Sequence, residues 1–116
     1  MIIAVVELPR ETNTQTAEEL MRYSLEATKV YHEVKGLRRK YFLDGASGGG
    51  GVYVFDTRED AEAWFHDGWS AWMEKRQGVR PILKIYDCVL TLDNEADEVR
   101  VGDAVVPSPW NAQAAE

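Results

Sequence analysis

The fold is decided by the stretch from Gly36 to Val89, which reads GLRRKYFLDGASGGGGVYVFDTREDAEAWFHDGWSAWMEKRQGVRPILKIYDCV. It predicts a strand, a glycine-rich turn, a second strand, a capped helix and a third strand, with few residues left over. A β-branched strand and an amphipathic helix precede it. The order strand, helix, strand, strand, helix, strand is that of a ferredoxin-like α+β unit, βαββαβ, with an antiparallel sheet.

The first strand and helix have clear boundaries in the sequence. Ile2 to Leu8 is a β-branched run that Pro9 ends, and Gly36 is the expected stop of the helix. Thr16 and Glu19 have the spacing of a capping box, in which each side chain satisfies a free backbone N–H group. The helix is expected to bury a stripe made of Ala17, Leu20, Met21, Ser24, Ala27, Thr28, Tyr31 and Val34.

The next segment is predicted to be a hairpin with strands at 37–43 and 52–55. Residues 44–51 between them contain five glycines and are expected to form a flexible loop. A phosphate-binding loop is the alternative, but its glycines open into a helix and are followed by Lys and Ser or Thr. Here they lead into a strand, which favours the plain hairpin.

The rest of the chain is predicted to hold a second helix, a long strand and a tail. Thr57 is the expected cap of a single helix that ends at Gly78, and 82–92 is predicted to be the longest strand. We therefore place a ferredoxin-like domain at 1–94 and an acidic tail at 95–116. Val99–Val101 and Ala104–Val106 in the tail could form a short hairpin on the turn Gly102-Asp103.

Charge and composition exclude several classes of function. The chain has 116 residues and a net charge of −7, and residues 93–116 hold six acids and one Arg. An acidic chain lacks the surface that neutralises phosphates, so a nucleic-acid partner is not expected. No apolar run reaches the ~20 residues that span a bilayer, and no signal peptide precedes Ile2. We expect a cytoplasmic protein without a membrane partner, and its single cysteine, Cys88, fits a reducing compartment.

Aromatic residues and one arginine are the first candidates for a ligand site. Strand alternation from Leu37 places Arg39 and Tyr41 on one face, where a charge needs a partner such as an internal carboxylate or the anionic oxygen of a ligand. Trp64, Trp69 and Trp72 lie close together on the predicted second helix. They form either ordinary core or the lining of a pocket of at least ~300 Å³.

Few other residues in the sequence are candidates for catalysis or metal binding. His66 is either a solvated residue on the flank of a helix or a proton donor and acceptor at a pocket mouth. Cys88 has no basic neighbour and is expected to be an inert core thiol. Two His and one Cys are too few to indicate a metal site, so no metal is expected. Lys35, Arg38, Arg39 and Lys40 form a basic cluster that is expected to be solvated, apart from Arg39.

From Gly36 onward the sequence resembles the YdhR-like monooxygenases of the dimeric α/β-barrel superfamily. The pattern is carried by Gly36-Leu37, Lys40, Gly50-Gly51-Val52-Tyr53-Val54-Phe55, Ala61-x-Ala63-Trp64-Phe65, Gly78-Val79 and Lys84-Ile85-Tyr86-Asp87. The resemblance implies a protomer that dimerises through its sheet, and an activity that oxygenates phenols without flavin, metal or other cofactor. Arg38, Arg39 and the tail after Asp93 depart from the pattern.

The sequence therefore supports two hypotheses. In the first, the protein is a cofactor-independent monooxygenase acting on an aromatic or enolisable small molecule, because a deprotonated substrate can itself reduce dioxygen. Arg39 would stabilise the anion, and His66 or Tyr53 would transfer the proton. Tyr41, Trp64, Trp69 and Trp72 would bind the substrate. In the second hypothesis, the homodimer holds an apolar ligand as a binding or stress-associated protein and performs no chemistry.

Overall fold

The computed structural model describes residues 1–11 and 15–111. Its main sheet is antiparallel and has the strand order β2-β3-β1-β4. The strands are β1 (Ile2–Pro9), β2 (Leu37–Gly45), β3 (Gly48–Phe55) and β4 (Ile82–Asp87). The helices are α1 (Ala17–Tyr31), α2 (Arg58–Trp64) and α3 (Trp69–Gln77). The protein is thus α+β, and its element and strand order are consistent with a ferredoxin-like fold.

The core lies between the helices and one face of the main sheet. Ala4, Phe55 and Ala61 are fully buried, and Tyr53 is 1% exposed. The strands alternate, so the residues on the other face are only half-buried or exposed. Among the described residues, no helix is long and apolar enough to cross a membrane.

The predicted N-terminal caps and the stop at Gly78 are confirmed, whereas α1 ends at Tyr31, before its predicted stop at Gly36. The Thr16 and Thr57 hydroxyls accept hydrogen bonds from the backbone N–H groups of Glu19 and Asp60, both at 3.1 Å. Gly78 ends α3 with a left-handed φ of 75°. Such a conformation is cheap only for glycine, which is why the sequence signals the stop so clearly.

The prediction that 44–51 is a loop is wrong, because four of its glycines form the start of β3. Gly48 to Gly51 pair with Pro9 to Val6 of β1 in regular antiparallel register, and only Ala46 and Ser47 turn the chain. Glycine is required there because the backbone of β1 lies too close to β3 to accommodate a Cβ atom. A Cβ on Gly50 would lie 2.0 Å from the Val6 carbonyl oxygen, and Gly50 has φ of 148°.

The single second helix predicted from Thr57 is broken in two. The break spans 65–68, where His66 Nδ1 accepts a hydrogen bond of 3.0 Å from the Gly68 N–H group. A local bond of this kind offers the backbone an alternative to the helical ladder. The axis therefore changes between α2 and α3, and Trp69 begins a new helix.

The predicted long strand 82–92 is also interrupted. β4 ends at Asp87, and Thr91–Asp93 (β5) joins a separate sheet with Glu98–Val101 (β6) and Ala104–Val106 (β7). Cys88 lies in the interruption, half-buried, with its Sγ 3.5 Å from Thr91 Oγ1. The predicted hairpin on Gly102-Asp103 is confirmed as β6 and β7. β5 comes before residue 94 and β6 comes after it. The second sheet therefore contains residues from both sides of the domain boundary predicted at that residue.

A β-bulge at Arg38 changes the direction of every later side chain in β2. Leu37 pairs with Phe55 and Arg39 pairs with Val54, so Arg38 is an extra residue in the ladder. Its guanidinium pairs with the Asp56 carboxylate and, at 2.8 Å, with Asp103 of the second sheet. The bulge reverses the alternation that the sequence predicts from Leu37.

Candidate functional site

A cavity of about 260 Å³ lies between α1, α3 and the helix-facing side of the main sheet. Its floor includes Gly49 and Gly51 of β3. Gly51 lies on the same face of the strand as the buried Tyr53 and Phe55. Gly49 and Gly51 carry no side chains, and a Cβ added at Gly51 would lie 3.3 Å from Lys40 Cε, so glycine leaves room for the Lys40 side chain over the strand. The glycine run thus forms part of the cavity floor.

Lys40 of β2 lines this cavity, as does Asp44 further along the same strand. Its Nζ lies 3.3 Å from the ring centroid of Tyr31, 4.0 Å from that of Phe42 and 4.8 Å from that of Tyr53. The three rings form an aromatic cage around the amine, in which a cation is attracted to the ring faces. None of the described residues pairs a carboxylate with Lys40.

This environment changes the protonation of Lys40. Burial and, to a smaller extent, the nearby positive charge of Arg76 together lower the pKa of Lys40 to about 7. Desolvation disfavours the charged form of an amine that has no carboxylate partner. At neutral pH, a substantial fraction of the molecules therefore carry Lys40 as a neutral amine. The neutral amine is the form that accepts protons and attacks carbonyl groups.

Tyr31 and Tyr53 extend the site away from the amine. Burial raises the pKa of both phenols, most strongly for Tyr53. Both are therefore protonated at neutral pH. They can donate a hydrogen bond or a proton to a bound oxygen atom, but they are poor proton acceptors.

Two arginines contribute to the other end of the cavity. Arg10 Nη2 donates to the Gln77 carbonyl oxygen at 2.8 Å and to Gln77 Oε1 at 3.1 Å. Gln77 Nε2 in turn donates to the Tyr23 hydroxyl at 2.8 Å, which links α3 to α1. Arg76 also lines the cavity, and its guanidinium stacks 4.8 Å from the Trp72 ring centroid. The cavity lining therefore carries three cationic side chains, Arg10, Lys40 and Arg76, and the carboxylate of Asp44, so cations outnumber the anion.

Arg39 and Tyr41 do not lie where the sequence predicts. The bulge at Arg38 turns both of them to the open face of the sheet, where Tyr41 is 47% exposed. Lys40 and Phe42 occupy the helix-facing positions instead. The predicted convergence of Arg39 with the tryptophans is wrong.

The three tryptophans pack with other rings and do not line the cavity. Trp69 is buried against Phe65 with ring centroids 4.8 Å apart, and Trp64 packs edge-on against Tyr31 and Trp72. Edge-to-face packing of this kind is typical of aromatic core. Trp72 nevertheless affects the site indirectly, since it holds Arg76.

His66 is exposed and lies in the break between α2 and α3, outside the cavity lining. Of the predicted catalytic residues, Tyr53 alone lines the cavity. Within residues 1–11 and 15–111, no group of three or more His, Cys, Asp or Glu side chains is placed to hold a metal ion.

The sequence interpretation missed Lys40 as a site residue and assigned it to a solvated basic cluster. A signal was present: counting back from the apolar Phe42 by two places Lys40 on the same face. Reading forward from Leu37 gave the opposite answer because the bulge is not visible in the residue types.

Comparison with known proteins gives a likeness of fold only. No family model matches the chain, and no curated protein matches it. Among solved structures, the chain is similar to NE2512, a protein of unknown function from Nitrosomonas europaea. The two share 14% sequence identity with a TM-score of 0.54, over 76% of this chain and 88% of that one.

Proposed function

We propose that the protein binds a small aromatic or enolisable molecule in the cavity and oxygenates it without a cofactor, with Lys40 as the base. The observation that carries this proposal is the Lys40 amine, which is caged by three aromatic rings and has a pKa lowered to about 7. A base is most effective when its pKa lies near the working pH. Lys40 thus takes the proton-transfer role first assigned to His66 or Tyr53 and the anion-stabilising role first assigned to Arg39.

The proposed reaction begins with proton transfer. Neutral Lys40 takes a proton from an acidic C–H or O–H group of the substrate, and the resulting ammonium stabilises the anion beside it. The electron-rich anion reduces dioxygen directly. Overall, a CH₂ group loses both hydrogens and gains one oxygen atom as a carbonyl, and the second oxygen atom leaves as water. Protonated Tyr53 or Tyr31 can donate a hydrogen bond to the substrate oxygen.

The alternative is a binding protein that performs no chemistry. It is favoured by the close contact of Lys40 with Tyr31, which keeps the ammonium attracted to an aromatic ring rather than to a substrate. In that case Lys40, Arg76 and Arg10 hold a small organic anion by charge alone.

We also propose that two copies pair through the open faces of their main sheets, as in a dimeric α/β barrel. Apolar residues cover this face, and several are strongly exposed, namely Tyr41, Leu43, Ile82 and Tyr86. A sheet with helices on only one side buries its second apolar face against another layer.

Oxygen uptake with anthrone tests the monooxygenase proposal, because anthrone is an aromatic ketone with an acidic CH₂ group. The wild type is expected to consume oxygen and form anthraquinone, whereas Lys40→Arg is expected to bind anthrone but lose turnover. Arginine keeps the charge and cannot act as a base at neutral pH. Lys75→Arg, on the exposed surface of α3 and outside the cavity lining, is the matched control and should keep full activity. Binding without oxygen uptake in the wild type would favour the binding protein.

A further inference from the structure

We propose that Lys40 forms a reversible imine with a small α-oxo acid whose carboxylate is bound by Arg76 and Arg10. This inference rests on the proposed use of the cavity as a ligand site, but it is independent of any reaction with oxygen. It defines the ligand more narrowly, as a molecule with a carbonyl carbon next to a carboxylate.

The amine is placed to act as a nucleophile. Lys40 lines the cavity, and its Nζ is held against three aromatic ring faces rather than by a carboxylate of the described residues. A lysine in an ion pair is fixed in its protonated form, whereas a buried lysine without such a partner is readily neutral. The lowered pKa of Lys40 agrees with this geometry.

The aromatic cage also suits the product of the reaction. A protonated imine is a larger and more weakly hydrated cation than an ammonium group, so burial penalises it less. The rings of Tyr31, Phe42 and Tyr53 would continue to attract its positive charge. The site therefore favours the iminium over the free ammonium.

The arginines determine which carbonyl compound is bound. Arg76 lies close enough to Lys40 to lower its pKa, and Arg10 is held in the cavity lining by Gln77. Guanidinium groups bind carboxylates through paired hydrogen bonds. A carboxylate bound there would also reduce the repulsion between Arg76 and the iminium. The volume of about 260 Å³ leaves space for an aryl or short alkyl group.

The covalent step balances without a redox partner. The lone pair of Lys40 Nζ forms a bond to the carbonyl carbon, and the carbonyl oxygen takes up protons and leaves as water. The remaining nitrogen and carbon share the double bond of the imine, and addition of water reverses the reaction. No electron acceptor is required.

Reductive trapping tests the proposal. The full-length protein is incubated near neutral pH with phenylpyruvate and cyanoborohydride, and labelled lysines are located by peptide mass spectrometry. Each trapped imine adds the mass of the keto acid less one oxygen atom. Lys40 is expected to be labelled more than about tenfold faster than the exposed Lys75 of α3, because burial favours the reactive neutral amine at Lys40.

Three variants and one analogue complete the test. Lys40→Arg should abolish the fast label and Lys75→Arg should keep it, with circular dichroism confirming that both proteins fold. Arg76→Gln should slow labelling by phenylpyruvate more than labelling by phenylacetone, which has no carboxylate. Equal labelling of all lysines, or none, would overturn the imine. Equal rates for phenylpyruvate and phenylacetone would overturn the α-oxo acid assignment. Because anthrone oxidation needs no imine, failure of either assay leaves the other result interpretable.

Discussion

At the scale of single residues, the protonation of Lys40 couples the cavity to the stability of the fold. The pKa of Lys40 is about 7 in the folded protein against 10.5 ordinarily, with Tyr31, Tyr53, Phe42 and Arg76 facing the amine. Between these two values the unfolded chain binds more protons than the folded chain. The contribution of Lys40 to the free energy of unfolding therefore rises with pH across that window.

We predict that the wild type gains about 2 kcal/mol of stability relative to Lys40→Met between pH ~7 and ~9. Below pH ~7 both states are protonated, so the difference should level off with the variant the more stable. The measurement is urea unfolding at a series of pH values. Above pH ~10 the raised pKa values of Tyr31 and Tyr53 lower the free energy of unfolding as the pH rises, which opposes the effect of Lys40. The series therefore stops below pH ~10.

Lys75→Met is the control for this series, because Lys75 is exposed on the surface of α3. Its stability should run parallel to that of the wild type at every pH. If the difference between the wild type and Lys40→Met did not change with pH, the amine would be protonated throughout, and both the base and the imine proposals would lose their support.

A second residue prediction concerns Gly50 in the glycine run of β3. We expect Gly50→Ala to cost more than about 3 kcal/mol of stability, because the new Cβ would meet the Val6 carbonyl oxygen and the backbone cannot move away. Gly78→Ala is the matched control. It also has a positive φ, of 75°, but a Cβ added there would have no atom within 4 Å, so we expect a loss of about 1 kcal/mol.

Chemical unfolding of the two variants compares these costs. Similar losses would mean that β3 shifts to accommodate a side chain at Gly50. In that case the run Gly48 to Gly51 would not be required by close strand packing, and the origin of the cavity floor would need another explanation.

At the scale of elements, the sequence predicted what local chemistry determines. The caps Thr16 and Thr57 and the stop Gly78 act within one turn of the chain, so their residue types are sufficient to predict them. The hairpin on Gly102-Asp103 is local in the same sense. The order of strands and helices followed from these boundaries.

What the sequence could not predict depends on contacts between elements. The bulge at Arg38 is stabilised by Asp56 and Asp103, which are distant in sequence, yet it decides whether Arg39 or Lys40 faces the cavity. The glycines of β3 are strand residues because β1 packs closely against them. The candidate site was therefore misplaced by one residue in β2, although Tyr53 in β3 was placed correctly.

The second sheet buries little of its surface against the rest of the chain. Val99 is its only buried residue among those described, and Arg38–Asp103 ties it to the main body. Its apolar side chains include Leu92, Val101 and Val105, all more than half exposed. A three-stranded sheet of this size needs another surface to cover it.

We predict that truncation after Asn94 weakens self-association by at least about tenfold, because such exposed apolar residues contribute to interfaces when buried. Removal of β6 and β7 also leaves β5 without a partner strand. Analytical ultracentrifugation across a dilution series measures the change. A truncated protein that associates as tightly as the wild type would show that the second sheet does not contact the partner.

At the scale of the whole molecule, the protomer is extended rather than compact. Its radius of gyration is 17.2 Å, whereas a compact chain of this length is expected near ~13 Å. The second sheet projects from the body, and the open face of the main sheet is uncovered. Both features suit a protomer that is completed by a second copy.

A substitution on the open face of the main sheet tests the proposed dimer most directly. Tyr86 lies on it and is 52% exposed, so Tyr86→Asp should leave the protomer folded. In a dimer of sheets the new carboxylate would be buried without a partner, which is strongly unfavourable. We therefore expect Tyr86→Asp to be monomeric by light scattering at concentrations where the wild type is dimeric. Leu25→Asp, on the surface of α1 where Leu25 is 64% exposed, is the control and should remain dimeric. If both variants stayed dimeric, the interface would lie elsewhere, and the open face would have to be covered by a different partner.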